Sequence, residues 1–171
     1  MDLQLAGPFG QGDHLFLAGP IKPGTPSQGY QLGLTPAQVY RTSLAAIRRR
    51  LREAGASFVQ ASPEEQDHFL QRLEAGEVDL DGVPSAIFFE TLFANTIEGF
   101  FSDPAYGGNR DMAGWRMVGF PGVYAAYLGL YTQHGLRYER EPLSMADAHR
   151  LHGHGPAPAH GAAPASPHRH R

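Results

Sequence analysis

The apolar segment SAIFFETLFANTIEGFF, residues 85–101, constrains the fold more than any other part of the chain. Its apolar side chains cover most of a helical surface, with a central stripe formed by Ile87, Phe88, Leu92, Ile97 and Phe101. Such a helix must be buried on most sides, either at the centre of a domain or against a partner protein. The segment therefore predicts a helix that begins at Pro84 or Ser85 and is buried on most sides in one of these two ways.

A first amphipathic helix is predicted after Thr35. This residue suits the N-cap position, and Pro36 suits the first helical position, where its missing N–H has no helical partner to lose. Gly55 is placed to end the helix. One apolar stripe recurs at helical spacing and is formed by Tyr40, Leu44, Ile47 and Leu51. The arginines of this segment lie off the stripe and predict a solvated face: Arg41, Arg48, Arg49 and Arg52.

A second helix is predicted from the segment SPEE. Ser62 is the expected N-cap, Pro63 takes the first helical position, and Glu65 can reach back to complete a capping box. Gly76 is expected to end this helix. The acidic segment that follows, EVDLDGVP, lacks the twelve-residue pattern of a calcium-binding loop, so we expect it to be a solvated loop.

A short fourth helix is predicted over the segment DMAGWRMVGF. Asn109 or Asp111 is the expected cap, and Pro121 is expected to stop the helix. Together these patterns predict an all-α fold, a small helical domain of about four helices.

The 21 glycines and 14 prolines make up 35 of 171 residues, so much of the chain outside these helices must be loop. We predict an extended N-terminal arm over residues 1–34, the helical domain over residues 35–140, and a linker with a low-complexity tail over residues 141–171. The last twenty residues hold five of the nine histidines, no acidic residue and no large apolar one. Such a composition cannot offset its ordering entropy, so the tail is predicted to be disordered.

Charge and cysteine content exclude several classes of function. A formal charge of −3 argues against a general nucleic-acid binder, which needs a basic face. The absence of cysteine excludes disulfides, cysteine-bound iron–sulfur clusters, CxxCH haem and a thiol nucleophile. No apolar run approaches the roughly 20 residues that span a bilayer, and no export signal is recognisable. If the protein is exported, we expect the signal to lie outside this chain or on a partner.

The sequence offers residues for three kinds of chemistry, each of which also has a simpler structural explanation. Glu90 and Glu98 lie two helical turns apart and, with Asp103, form the alternative of an independent carboxylate-based enzyme. The His-rich tail forms the alternative of a metal-carrying protein, although its spacing matches no closed site. The segment YGGNRD lacks the context of a phosphate loop. We predict no catalytic, cofactor-binding or metal-binding residue in this chain.

The segment from Thr96 to Gly122, TIEGFFSDPAYGGNRDMAGWRMVGFPG, instead predicts a partner interface. It carries tyrosine, arginine, tryptophan, methionine and phenylalanine, which are enriched at the centres of interfaces, and glycines that allow close backbone approach. The predicted interface residues are Glu98, Phe101, Asp103, Tyr106, Gly107, Gly108, Asn109, Arg110, Asp111, Trp115, Phe120, Pro121 and Gly122. Trp115, the only tryptophan, is either an interface anchor or part of the internal core.

The same segment, together with IFFETLFAN before it, resembles the gluconate 2-dehydrogenase subunit 3 family. The match to TIEGFFSDPAYGGNRDMAGWRMVGFPG is long enough to make a chance resemblance improbable. It weakens towards Thr35, and we do not extend it into residues 1–34 or past about residue 140. After Gly122, where the family commonly continues as RxDY, this chain reads VYAAYLGLYTQHG.

The resemblance implies a non-catalytic small subunit of a dehydrogenase that oxidises a sugar, sugar acid or polyol. It implies a large flavoprotein partner of the glucose–methanol–choline type that holds FAD, and a multihaem cytochrome c subunit that often receives the electrons. It also implies a complex at the periplasmic face of the inner membrane, with the small subunit carrying a twin-arginine signal that escorts its partner through export. No cofactor is expected in this chain, and the substrate is expected to depend on the large subunit.

Overall fold

A computed structural model describes residues 1–22, 24–25, 31–123, 130, 132–136 and 139–147. The chain is mostly helical, which confirms the all-α prediction. The described residues include the helices α1 (Asp2–Ala6), α2 (Pro8–Gln11), α3 (Pro36–Glu53), α4 (Pro63–Glu74), α5 (Ser85–Phe101) and α6 (Ala113–Val118). The chain divides into two compact units, residues 1–99 and residues 100–171. The predicted disordered tail lies outside the described residues.

Helix α3 begins and ends as the sequence predicts. The Thr35 hydroxyl accepts a hydrogen bond from the Gln38 N–H, and the Gln38 side chain accepts one from the Thr35 N–H, which forms a capping box. At the other end Gly55 has a left-handed conformation with φ +63°. The N–H of Ala56 reaches back to the Leu51 carbonyl, which completes a Schellman motif.

Helix α4 is built in the same way. Ser62 and Glu65 form the predicted reciprocal capping box, with Pro63 at the first helical position. Gly76 has φ +78°, and the Glu77 N–H donates to the Arg72 carbonyl. Both predicted helices are therefore confirmed, because their start and stop signals act locally.

The acidic segment between α4 and α5 is a small β-hairpin, which corrects the prediction of a solvated loop. Strand β1 (Asp79–Leu80) pairs antiparallel with strand β2 (Val83–Pro84). The turn residues Asp81 and Gly82 have φ values of +57° and +89°, which are the left-handed conformations of a tight hairpin turn. Leu80 and Val83 are buried, whereas the neighbouring acidic side chains meet solvent. The hairpin thus places two apolar side chains in the core and exposes its acidic side chains to solvent.

The core of the first unit lies between α3, α4, the hairpin and α5. Its most buried large side chains are Val39, Leu73, Leu80 and Phe88. The rings of Tyr40 and Phe88 meet edge to face with centroids 5.7 Å apart. Helix α5 packs into this core through the side that carries Phe88. Only Ser85, Phe88 and Asn95 of this helix are buried, so the described part of the chain does not itself bury α5 on most sides.

The N-terminal residues differ from the predicted extended arm. Residues 2–11 form the short helices α1 and α2, and Leu5, Leu32 and Leu34 pack against the core of the first unit. Tertiary contact with α3 explains this difference, because helices of four or five residues are not stable alone. The prediction of an extended arm, which rests on glycine and proline content, is therefore wrong for residues 2–11.

The hairpin is fastened to α3 by two ion pairs. The two terminal nitrogens of Arg49 donate to the carboxylate of Asp81 at 2.7 and 2.8 Å, and Arg50 pairs with Asp79. Hydrogen bonding to Arg49 lowers the pKa of Asp81 below its ordinary value of 3.8, and the same hydrogen bond raises the pKa of Arg49. The bidentate geometry makes this pair more specific than a simple surface contact.

We expect Asp81→Asn to destabilise the protein in a pH-dependent way. Because the folded-state pKa is depressed, the pair stabilises the fold above the ordinary value of 3.8 and loses its effect as pH falls through the folded-state pKa. Asparagine tolerates the left-handed backbone, so the turn is retained. Chemical denaturation at several pH values should show a deficit at neutral pH that shrinks in acid; a deficit that stays constant into acid would contradict this role.

Candidate partner interface

The predicted interface segment runs from the end of α5 through two short 3-10 turns into α6. The turns cover Pro104–Tyr106 and Arg110–Met112, and α6 follows at Ala113–Val118. Gly119, with φ +68°, ends α6 two residues before the predicted stop at Pro121. Met112 occupies the N-cap position of α6, but the predicted capping role of Asn109 is confirmed, because its side-chain oxygen accepts the N–H of Gly114 in the first turn of α6.

Asp103 holds the start of the loop and joins it to a residue much later in the chain. One carboxylate oxygen accepts the N–H of Ala105 at 2.8 Å, and the other accepts the N–H of Met145 at 2.9 Å. Residues 121–123 pair with Leu143, because the Leu143 N–H donates to the Pro121 carbonyl and the Val123 N–H donates to the Leu143 carbonyl. Residues around 143–145 therefore hold the segment in place, a contribution that sequence reasoning missed for lack of any local signal.

Trp115 lies inside the second unit, where its side chain is only 5% exposed. Its indole N–H donates to the Phe101 carbonyl at 2.8 Å, and its ring meets Phe120 edge to face at 5.2 Å. Of the two roles considered for this residue, the burial supports the internal one. The ring fixes α6 against the end of α5 and so shapes the surface around it.

Gly114 permits the close approach between α6 and the end of α5. A Cβ at this position would overlap the Phe100 carbonyl oxygen and would lie 3.2 Å from the Asn109 side-chain oxygen. The Gly114 N–H donates to that same oxygen at 2.8 Å, and Asn109 is itself buried. The buried base of the loop is thus closely packed and hydrogen-bonded.

The loop backbone is unusually rich in left-handed residues. Between residues 107 and 122 positive φ values occur at three glycines and also at Asn109, Asp111 and Met112. Non-glycine residues in this region each cost about 1–3 kcal/mol, with asparagine and aspartate at the lower end. Such conformations persist where the surroundings hold them, and they concentrate at binding and active sites. The backbone therefore favours a functional role for this loop.

The exposed side chains of the loop are of interface type. Tyr106 is 73% exposed, and the Arg110 side chain is 96% exposed beside Asp111. Of the other predicted interface residues, Glu98, Gly107 and Phe120 are exposed, and Phe101, Asp103 and Gly108 are half-buried. Asn109, Trp115, Pro121 and Gly122 are buried in this chain. The structure therefore separates residues that could touch a partner from residues that support them.

Two further sets of exposed apolar residues lie outside the predicted interface residues. Met117 and Val118 lie at the end of α6 beside the predicted loop and are more than half exposed. On α5, Phe93, Ile97 and Phe100 follow at spacings of four and three, so they share one helix face, and all three are exposed. The sequence of α5 already indicates such an exposed apolar face, because its apolar residues cover more of the helix than one domain core can bury.

A buried polar pair ties α5 to α3 in the first unit. The Asn95 side-chain amide donates to the Tyr40 hydroxyl at 2.9 Å, and the Tyr40 hydroxyl lies 3.5 Å from the Thr91 carbonyl. Burial raises the pKa of Tyr40 above its ordinary value, so the hydroxyl stays neutral over the physiological range. Sequence reasoning placed Tyr40 on the apolar stripe and missed this pairing.

We expect Tyr40→Phe to destabilise the first unit by about 1–2 kcal/mol, because the buried Asn95 amide then loses its partner. The double variant Tyr40→Phe with Asn95→Leu removes both polar groups and should recover part of this loss. Urea denaturation followed by circular dichroism measures both. A single variant as stable as the wild type would contradict the pairing.

The carboxylates of the rival enzyme hypothesis are each either exposed or already hydrogen-bonded to the backbone. Glu90 and Glu98 are exposed on α5, and both oxygens of Asp103 accept backbone N–H groups. Among the described residues no group of three histidine, cysteine, aspartate or glutamate side chains is placed to hold a metal ion. The predicted absence of catalytic and cofactor-binding residues stays a prediction, and the His-rich tail of the metal hypothesis lies outside the described residues.

In the part of the chain that the structure describes, no helix has the length and apolar character needed to cross a bilayer. A family model described as Gluconate 2-dehydrogenase subunit 3 matches residues 1–122. The match includes the whole Thr96–Gly122 segment. It also includes residues 1–34, so the family likeness reaches further towards the N-terminus than the sequence motifs indicate. Comparison with curated proteins and with solved structures gave no match.

Proposed function

Because the chain belongs to the gluconate 2-dehydrogenase subunit 3 family, whose members are subunits of a dehydrogenase complex, we propose that it is a non-catalytic small subunit that binds a large flavoprotein. The large subunit, of the glucose–methanol–choline type, would hold FAD and oxidise a sugar, sugar acid or polyol. This chain would stabilise that subunit and accompany it to the periplasmic face of the inner membrane.

The observation that carries the proposal is the loop at residues 103–122. Its base is closely packed through Gly114 and Trp115, while Tyr106 and Arg110 extend from it into solvent. A preorganised surface of this kind loses little conformational entropy on binding, because its backbone is already held in one geometry. Exposed tyrosine and arginine on a rigid backbone are typical of residues that dominate binding energy.

The test is co-expression of the large flavoprotein subunit with and without this chain. We expect the soluble, flavin-loaded dehydrogenase to be recovered in much higher yield when the chain is present. The variant Tyr106→Ala with Arg110→Ala should weaken the complex by about 2 kcal/mol or more of binding free energy, as expected for central interface residues. The matched control is Arg41→Ala, since Arg41 is exposed on α3 and far along the chain from the loop.

Equal yield and activity with and without the chain would overturn the proposed function. The export part is tested separately by fractionation, in which the large subunit should reach the periplasm only when the chain and a twin-arginine signal are both present. A cytochrome c subunit, if it belongs to the complex, would add haem absorption bands to the flavin spectrum of the purified assembly.

A further inference from the structure

An apolar groove of about 930 Å³ lies between α3 and α4 in the first unit. Leu73 and Phe88, both buried, form its floor, and Leu44 and Leu51 of α3 form one wall. Val59, in the loop between α3 and α4, is 86% exposed at its edge, so the groove opens to solvent. Contiguous exposed apolar surface of this kind marks interaction sites more often than chance exposure does.

The charges around the groove have one sign. Arg48 and Arg52, one helical turn apart on α3, line it, and no carboxylate of the described residues does. No carboxylate among the described residues forms an ion pair with either side chain. The neighbouring Arg49 and Arg50, by contrast, already pair with the hairpin carboxylates. The arginine run of α3 is thus divided between internal pairing and the edge of the groove.

A smaller cavity of about 350 Å³ continues from the groove and shares Leu51 and Phe69 with it. Its carboxylate, Glu65, is already engaged, because one oxygen accepts the Ser62 N–H at 2.8 Å in the capping box. Glu65 is therefore held at the start of α4, and among the described residues it forms no ion pair with Arg48 or Arg52.

We propose that the groove binds an amphipathic helix of the large dehydrogenase subunit, a proposal that rests on the proposed function. The apolar face of that helix would fill the groove in the manner of a helix bound between two others. Two carboxylates one turn apart on its edge would meet Arg48 and Arg52, which fixes its orientation and register. The chain then holds its partner through two surfaces, the groove and the loop at residues 103–122.

Charge complementarity selects this occupant over the chain's own C-terminal tail. Residues 152–171 contain no aspartate or glutamate, carry two arginines and five histidines, and hold no large apolar side chain. Such a segment offers neither the apolar anchors nor the negative charge that the groove requires.

The first experiment replaces Val59 with benzoylphenylalanine in the chain co-expressed with the large subunit. Val59 borders the groove and is exposed, so the photoreactive group can be accommodated without disturbing the core. After irradiation, mass spectrometry should identify a peptide of the large subunit that carries at least two carboxylates beside apolar residues. A second copy of this chain or a phospholipid as the main adduct would overturn the proposal.

The second experiment reverses both groove charges with Arg48→Glu and Arg52→Glu. We expect the Kd for the large subunit to rise by about tenfold or more. The control Arg41→Glu changes the same charge type on α3 but does not line the groove, and should leave the Kd nearly unchanged. Replacing the two carboxylates of the crosslinked peptide with arginine should restore binding to the double variant.

The outcomes separate this proposal from the proposed function. If the wild-type chain forms no complex with the large subunit, both are overturned. If the complex forms and depends on Tyr106 and Arg110, but the double charge reversal leaves the Kd unchanged, the groove proposal alone is overturned.

Discussion

Trp115→Ala is expected to destabilise the second unit by about 3–5 kcal/mol, the range typical of removing a large buried aromatic side chain. The substitution removes a ring that is 5% exposed, its edge-to-face contact with Phe120 and the hydrogen bond to the Phe101 carbonyl. A cavity then lies between α6 and the end of α5, and the loop above it loses its support. Urea denaturation followed by circular dichroism measures the loss.

Trp115→Phe separates the packing of the ring from its hydrogen bond. Phenylalanine keeps an aromatic ring at this position but leaves the Phe101 carbonyl without the indole donor, so a smaller loss of about 1–3 kcal/mol is expected. The two variants should therefore rank in the order alanine, phenylalanine, wild type. An alanine variant that unfolds like the wild type but fails to bind the large subunit would contradict the internal role and identify Trp115 as an interface anchor.

Gly114→Ala is expected to cost about 3 kcal/mol, at the upper end of what overpacking costs. Helix propensity alone predicts the opposite sign, because alanine is favoured over glycine by about 1 kcal/mol inside a helix. The close approach decides the outcome: the new Cβ would overlap the Phe100 carbonyl oxygen, a backbone atom that cannot rotate away. Fluorescence of the single tryptophan, which lies next to the substituted residue, should report the loss during denaturation.

Gly99→Ala on α5 is the matched control for this prediction. Gly99 is also helical, but a Cβ built there meets no atom within 4 Å. Helix propensity should then act without opposition, and the variant should be as stable as the wild type or more stable by up to about 1 kcal/mol. If both substitutions change stability in the same direction, the packing explanation for Gly114 is wrong.

The helices could be located from the sequence because their signals are local. Thr35 with Pro36 and Ser62 with Pro63 begin helices, and Gly55 and Gly76 end them, through hydrogen bonds that span only a few residues. The short helices at residues 2–11 had no comparable signal, because packing against α3 stabilises them. The hairpin between α4 and α5 was missed since each strand has only two residues.

In the predicted interface, too, some features could be predicted from the sequence and others depend on tertiary contacts. The sequence identified the Thr96–Gly122 segment as specific, and through it the family, because residue types and their order are sufficient for a resemblance. It did not separate exposed Tyr106 and Arg110 from buried Asn109 and Trp115. Exposure depends on which residues of distant segments come together, and here Met145 and Leu143 hold the loop from more than twenty residues away.

The sequence by itself therefore determined the helical class, the capping of the central helices and the family. Only the tertiary structure decided that Trp115 points inward and that α3 and α4 leave an apolar groove open. It also decided that Arg49 and Arg50 of α3 pair with the hairpin carboxylates while Arg48 and Arg52 line the groove. The physical reason is distance along the chain. Capping and periodicity act within a few residues, whereas burial and charge pairing join residues such as Arg49 and Asp81, which are 32 positions apart.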